Sequence, residues 1–233
     1  MNSLKFLVTI SGPRAAGKTT LLNGIKQRLP DSFVDIVSHT TRDRRVSEVE
    51  GKDYYFVSKE DFDKETFIEA VSFNGNHYGI SQGEIDKALS SGKTPIVVVD
   101  PEGVRALEDY ISILNINVNS QGIAERYRLI SVYIDEDDEE DLISRLLKRH
   151  SLETVEAFKE DTSIQEFSKQ IETLCSKTAS SIKSLIDTEI YWRDDFQYSI
   201  YLQNLGSIDD LVRSAIIEIS NEIEQLKQED DDD

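Results

Sequence analysis

The chain has 233 residues, enough to bury a substantial core, and its 38% hydrophobic and 30% charged residues fit an ordinary globular protein, read as one domain with lobes. A formal net charge of −19 argues against a general nucleic-acid or anionic-membrane surface, because phosphates would be repelled at long range. The single cysteine, Cys175, permits no internal disulfide, and no ligand spacing suggests structural zinc.

The first apolar run, LKFLVTI at residues 4–10, stops at Ser11-Gly12-Pro13, as a buried strand stops before a turn. Its five-residue apolar part, FLVTI, is too short for a signal-peptide core, and no run reaches membrane-span length, so a cytoplasmic protein with no membrane partner is expected. From Thr19 the period changes: Leu21, Leu22, Ile25 and Leu29 recur at helical spacing, and Pro30 ends the helix. Residues 33–85 have weaker periodicity, many aromatics and the turn signals EGKD and NGN, which predict a small β-rich lobe. EIDKALSSG (84–92) predicts a helix closing at Gly92, and TPIVVVD (94–100) and YRLISVYID (127–135) predict further buried strands. Leu142, Ile143, Leu146 and Leu147 mark an amphipathic helix whose first turn is rich in acids. Residues 150–195 are polar and read as helical. FQYSIYL (196–202) reads as a last strand, and Ile208 to Leu226 as a last helix. EDDDD (229–233) reads as a disordered, solvated tail. Strands alternating with helices place the chain in the α/β class, with a mostly parallel sheet flanked by helices.

Between the first strand and helix, Gly12-Pro13-Arg14-Ala15-Ala16-Gly17-Lys18-Thr19 fits GxxxxGK[ST], and Thr20 follows it. Glycines let backbone N–H groups turn around phosphate oxygens, and a helix N-terminus adds partial positive charge. Lys18 can reach the β- and γ-phosphates, and the Thr19 hydroxyl can ligate Mg2+. The pattern establishes nucleoside triphosphate binding and fits GTPases, motors and kinases alike, although no NKxD segment for guanine selection follows. In TRDRRVSEVEGKDYYF (41–56), Arg42, Arg44 and Arg45 gather three guanidinium groups in an acidic chain. Arginine forks grip phosphate bidentately, which suits a second anion held opposite the first. His39, His77 and His150 show neither metal nor triad spacing.

These arginines lie in a wider pattern: SHTTRDRRVSEVEGKDYYFVS (38–58), FIEAVSFNGNHYG (67–79), then a helix and GKTPIVVVDPEG (92–103). Together with the phosphate loop it resembles the guanylate kinase family of P-loop nucleoside monophosphate kinases, over roughly residues 5–150. The resemblance implies a core (1–34, 93–149 and 196–228), a nucleotide-monophosphate lobe (35–92) and an extended helical lid (150–195), together one domain over 1–228. It implies that Arg42, Arg45, Tyr54 and Tyr78 hold the acceptor's phosphate, that Glu48 orders the arginines, and that Ser38 and Glu69 read guanine. Lys18, Arg42, Arg145 and Arg149 would act on the transferring phosphoryl group. Mg2+-ATP would be the donor, GMP or dGMP the acceptor, and oligomeric state is left open.

The chain departs from the family at three places. Ile80 stands where a small hydroxyl residue usually helps bind the base, with Ser81 next. Val98 replaces the first of two acids before the PEG turn, so Asp100 alone remains for the base or the Mg2+ shell. The later lid arginine is not evident, with Lys159 the nearest cation, and residues 110–126 read as an added loop. Two rival readings follow: a related kinase with another acceptor, such as a modified deoxynucleotide or phosphorylated sugar, and a non-catalytic protein-binding module of the same fold.

Overall fold

The computed structural model describes residues 3–45, 48–73, 75–120, 125–136, 138–157, 164–204 and 206–232. Strand β1 (Ser3–Ser11) runs into the glycine loop and helix α1 (Lys18–Arg28), which ends at Leu29 before Pro30. Both faces of β1 are buried: Phe6, Val8 and Ile10 pack with Leu21 and Ile25 of α1, while Leu7 belongs to a second core on the other side. A strand covered on both faces reads as a continuous apolar run, which is why LKFLVTI lacks alternation.

After the short β2 (Phe33–Asp35) the chain leaves the core. It forms β3 (His39–Thr40), β4 (Tyr55–Phe56), α2 (Lys59–Phe62), β5 (Phe67–Phe73) and β6 (Asn76–Ser81). These make a separate four-stranded sheet in the order β4-β3-β6-β5, the β-rich lobe expected from the turn signals. Helix α3 (Gln82–Leu89) returns the chain to the core. It starts two residues earlier than the sequence suggested, because the Ser81 hydroxyl caps it by accepting the Glu84 N–H at 3.3 Å.

Strand β7 (Thr94–Val98), helix α4 (Pro101–Ser120) and strand β8 (Glu125–Asp135) continue the core. Helix α5 (Glu139–Ala157) passes without interruption into the polar segment, where α6 (Ile164–Asp187), a 3-10 turn (Glu189–Tyr191) and α7 (Trp192–Asp195) follow. Strand β9 (Ile200–Gln203) and helix α8 (Ile208–Asp232) complete the chain. The main sheet has the order β2-β7-β1-β8-β9, every neighbouring pair parallel. Helices α1 and α8 cover one face with Leu211, Val212 and Ala215; α3 and α4 cover the other with Ile85, Val104 and Leu107. Among the described residues no helix is long and apolar enough to cross a membrane.

Two expectations are corrected. Residues 110–120 belong to α4 and are not a loop: Tyr110 and Ile111 continue its buried face, and the Tyr110 hydroxyl donates to Asp86 at 2.6 Å. The Asn115 amide donates to Tyr127 O at 3.0 Å and accepts the Tyr127 N–H at 2.8 Å, fixing the end of α4 to the sheet. Residues 121–124 lie outside the described residues. The acidic stretch 229–232 is the last turn of α8, and Asp230 pairs with Arg126 at 2.6 Å and Arg128 at 4.0 Å. Carboxylates at a helix C-terminus oppose the macrodipole, and the two arginines on β8 offset that repulsion.

Candidate active site

Two glycines shape the loop after β1. Gly12 has φ 145°, and a Cβ there would stand 2.7 Å from the Ile134 carbonyl oxygen. Gly17 starts α1 at φ 97°, with no capping side chain and no acid in the first turn. That leaves the helix N-terminus as an anion cradle. Lys18 folds back over the loop and donates to Gly12 O at 2.7 Å and Pro13 O at 2.9 Å. Burial pushes its pKa down to about 8; Glu189 opposes that shift, and the guanidinium groups of Arg14 and Arg149 add to it. Thr19, Thr20 and Ala15 line the same cavity, of about 970 Å3, and Ala16 is fully buried beneath the loop.

Across this cleft stands the arginine cluster. Both Glu48 oxygens accept from Arg42, at 2.8 and 2.9 Å, and Glu48 also accepts the Arg45 backbone N–H at 2.9 Å. Burial would raise the Glu48 carboxyl, but these contacts outweigh it and hold the pKa below the ordinary value. The Arg42 guanidinium lies 5.4 Å from the Tyr54 ring centre, and Tyr54 meets Tyr78 edge-on at 6.1 Å. Arg45 lines the 970 Å3 cavity with Ser38, Glu48 and Tyr54. It also lines a second cavity, of about 710 Å3, with Arg42 and Tyr78. Arg44 is exposed and donates to Glu48 O at 3.3 Å.

The remaining positions are less concentrated. Glu69 lies beside the bulge of β5, between Phe67 and Glu69 in the register with β6. Burial, with the Asp100 carboxylate nearby, pushes its pKa up to about 7. Asp100 accepts the Gly103 N–H at 2.9 Å, which starts α4. Ser81 is buried as the cap of α3 and Ile80 is 1% exposed; neither they nor Glu69 and Asp100 line either of the two cavities. Thr19 and Asp100 offer one hydroxyl and one carboxylate. That set fits Mg2+, which keeps several waters and takes substrate oxygens in place of a protein cage. No cluster of three His, Cys, Asp or Glu that could hold a metal ion occurs among the described residues.

Arg145 and Arg149, one turn apart on α5, both line the 970 Å3 cavity, and Arg149 lines the other as well. Arg145 is shared by Glu136 at 3.3 Å, Asp141 and the Ala15 carbonyl at 3.4 Å. His150 is buried, with Nδ1 2.9 Å from the Thr178 hydroxyl, and so joins α5 to α6. Lys159 lies outside the described residues. Sequence reasoning missed the inward face of α6: Thr173, Lys177, Ser180 and Ser181 line the 710 Å3 cavity. Their three- and four-residue spacing is the signal that could have found them. It also missed Glu189, 1% exposed, whose carboxylate accepts the Arg14 N–H at 2.8 Å, pairs with Arg14 Nε at 2.5 Å and accepts from Ser184 at 3.0 Å.

Comparison with known proteins bears on this geometry. The family model described as guanylate kinase matches residues 5–187. The guanylate kinase of Chlamydia felis is 46% identical over 126 residues, covering 52% of this chain and 62% of that protein. The chain thus spans less than two thirds of that relative's length. The guanylate kinase of Chlamydia trachomatis serovar D is 37% identical over 158 residues, covering 66% and 76%. Among solved structures, guanylate kinase from Anaplasma phagocytophilum aligns with TM-score 0.53 at 19% identity, over 94% of this chain and 87% of that one. A tRNA isopentenylpyrophosphate transferase from Bacillus halodurans aligns with TM-score 0.55 at 13% identity, over 99% of each chain. Both likenesses are of fold alone.

Proposed function

This chain belongs to the guanylate kinase family, and from that membership we propose that it transfers the terminal phosphoryl group of ATP to GMP or dGMP. The observation that carries this reading is the pairing of two anion sites. A glycine loop with Lys18 faces a pair of arginines, held by Glu48, across adjoining cavities of about 970 and 710 Å3. A transferase needs two phosphates held toward each other, and most of its catalysis is positioning and charge neutralisation.

In this mechanism the loop amides and Lys18 hold the donor phosphates, and Arg145 and Arg149 reach them from α5. Arg42 and Arg45 hold the acceptor phosphate, with Tyr54 and Tyr78 as hydroxyl donors beside them. An acceptor phosphate oxygen bonds to the terminal phosphorus as its bond to the bridging oxygen of ATP breaks. ADP leaves with that electron pair, and no proton is consumed. Thr19 and Asp100 would hold Mg2+, which when bound neutralises phosphate charge. Glu69, as a carboxylate, would accept from N1–H and the exocyclic amine of guanine, and Ser38 would complete the base site. Adenine would leave that carboxylate unmatched, a costly mismatch. The reading carries with it nucleotides as partners, no nucleic acid, and a cytoplasmic setting.

A second acceptor class is favoured by one observation: Ile80 is buried and the Ser81 hydroxyl is spent on α3, so the hydroxyl usual beside the base is absent. ADP formation with Mg2+-ATP across GMP, dGMP, AMP, CMP, UMP and dTMP separates the two. Turnover with GMP or dGMP alone, reduced about 100-fold or more in kcat/KM by Arg42→Ala, is expected. Turnover with another acceptor keeps the clamp and overturns the base assignment. ATP binding without turnover would instead support a binding module.

A further inference from the structure

Arg14 is a loop residue whose side chain does not behave like a loop surface. Its backbone lies in the donor cradle, between Pro13 and Ala15. The residue lines both the 970 Å3 cavity, with Lys18, Arg145 and Arg149, and the 710 Å3 cavity, with Arg42, Arg45 and Tyr78. A long flexible side chain reaches such a position only at an entropic cost, and here it is held there. The holder is Glu189, a nearly inaccessible carboxylate 175 residues away in sequence, which takes both the Arg14 N–H and Nε. Ser184 fixes the carboxylate from α6, and Ser181, one turn before it, lies 3.4 Å from Arg14 Nη1.

A buried carboxylate that served only to neutralise a surface arginine would be a poor bargain in free energy, because taking the pair out of water costs several kcal/mol per ion. A carboxylate that orients a guanidinium edge toward a reaction centre has a purpose.

Resting on the kinase reading above, we propose that Arg14 is a catalytic residue: its guanidinium contacts the phosphoryl group in flight between the two phosphate sites. Glu189 is its positioning residue. As the acceptor oxygen bonds to phosphorus and the bridging bond breaks, negative charge spreads over the equatorial oxygens of the transferring group. Arg14 supplies positive charge there from the donor loop itself. Because the group is fixed before the substrates arrive, it needs no reorganisation at the moment of transfer. The lid then contributes through Ser181, Ser184 and Glu189.

The test uses the full chain with the acceptor on which the wild type is most active. Arg14→Ala is expected to lower kcat about 100- to 1,000-fold while KM for ATP moves less than threefold. Added guanidinium at millimolar concentration is expected to restore part of that kcat, a response that a purely structural role would not give. Arg14→Lys, a point charge that keeps a partner for Glu189, should recover less than a tenth of the activity and melt near the wild type. Glu189→Gln should lower kcat about tenfold at unchanged KM for ATP, without guanidinium rescue. An Arg14→Ala kcat within threefold of wild type overturns the assignment, as does a loss confined to KM for ATP. A wild type inactive on every acceptor sinks the kinase reading itself, a result distinguishable from either.

Discussion

Glu69 is the residue whose chemistry is most exposed to solution conditions. Burial, helped by the Asp100 carboxylate, moves its pKa from 4.5 up to about 7. In the free protein the neutral carboxyl therefore prevails below pH 7, and only the ionised form can accept both guanine N–H groups. KM for GMP should fall by about tenfold in all as pH rises from 6 to 8, most of it below pH 7, and then level off, with kcat little changed. A raised pKa in the folded state also means that folding retains a proton which the unfolded chain releases. Its contribution to stability is full below pH 4.5 and is lost as pH rises through about 7. Glu69→Gln should flatten both profiles; a KM profile that keeps its slope in the variant would remove Glu69 from base recognition. The loop and the arginine cluster were legible in sequence because their chemistry is bound to short spacings, GxxxxGK and RDRR. Glu189 was not, because what makes it matter is a contact with Arg14 that no local spacing encodes.

At the scale of elements, α1 and α8 approach closely enough to be specified by a single glycine. A Cβ at Gly24 would stand 2.4 Å from Val212 Cγ2, and Val212 is buried at 1% exposure. Gly24→Ala should therefore destabilise the fold by about 1–3 kcal/mol despite its better helix propensity. Removing the obstructing methyl groups by Val212→Ala should make the double variant more stable than the sum of the two single losses, by about 1 kcal/mol. Urea unfolding of the four proteins measures this, and strict additivity would mean that the helices simply move apart. The same packing explains what sequence revealed. Strands β1, β7 and β8 and helices α1 and α8 were legible because both faces of the sheet are covered, giving apolar runs of fixed period. The second half of α4 was not, because Asn115 and Asn117 look like loop residues until Asn115 pairs with the Tyr127 backbone. The end of α8 was not, because five acids read as a solvated tail until Arg126 meets Asp230.

For the whole molecule, the charge distribution makes salt act in opposite directions on stability and on binding. The formal net charge of −19 is carried by a surface that includes exposed ion pairs, as between Lys59 and Asp63 or Lys64 and Asp61. Such pairs are worth about 0–1 kcal/mol each, whereas the excess of negative charge repels itself throughout the compact state. Raising ionic strength from about 0.05 to 0.5 M shortens the Debye length from over 10 Å to below 5 Å, so long-range repulsion is screened more than contact pairs are. The melting temperature in the absence of nucleotide should therefore rise with sodium chloride. The substrate site has the reverse sign locally, since Arg14, Arg42, Arg45 and Arg149 line one cavity. There the added chloride competes with phosphate, and KM for the acceptor should rise over the same range. Thermal melts and initial rates in the same salt series read both effects. A melting temperature that fell with salt would mean that ion pairs outweigh net repulsion. A KM that fell would mean that the acidic shell governs substrate approach more than the arginine clamp governs its capture.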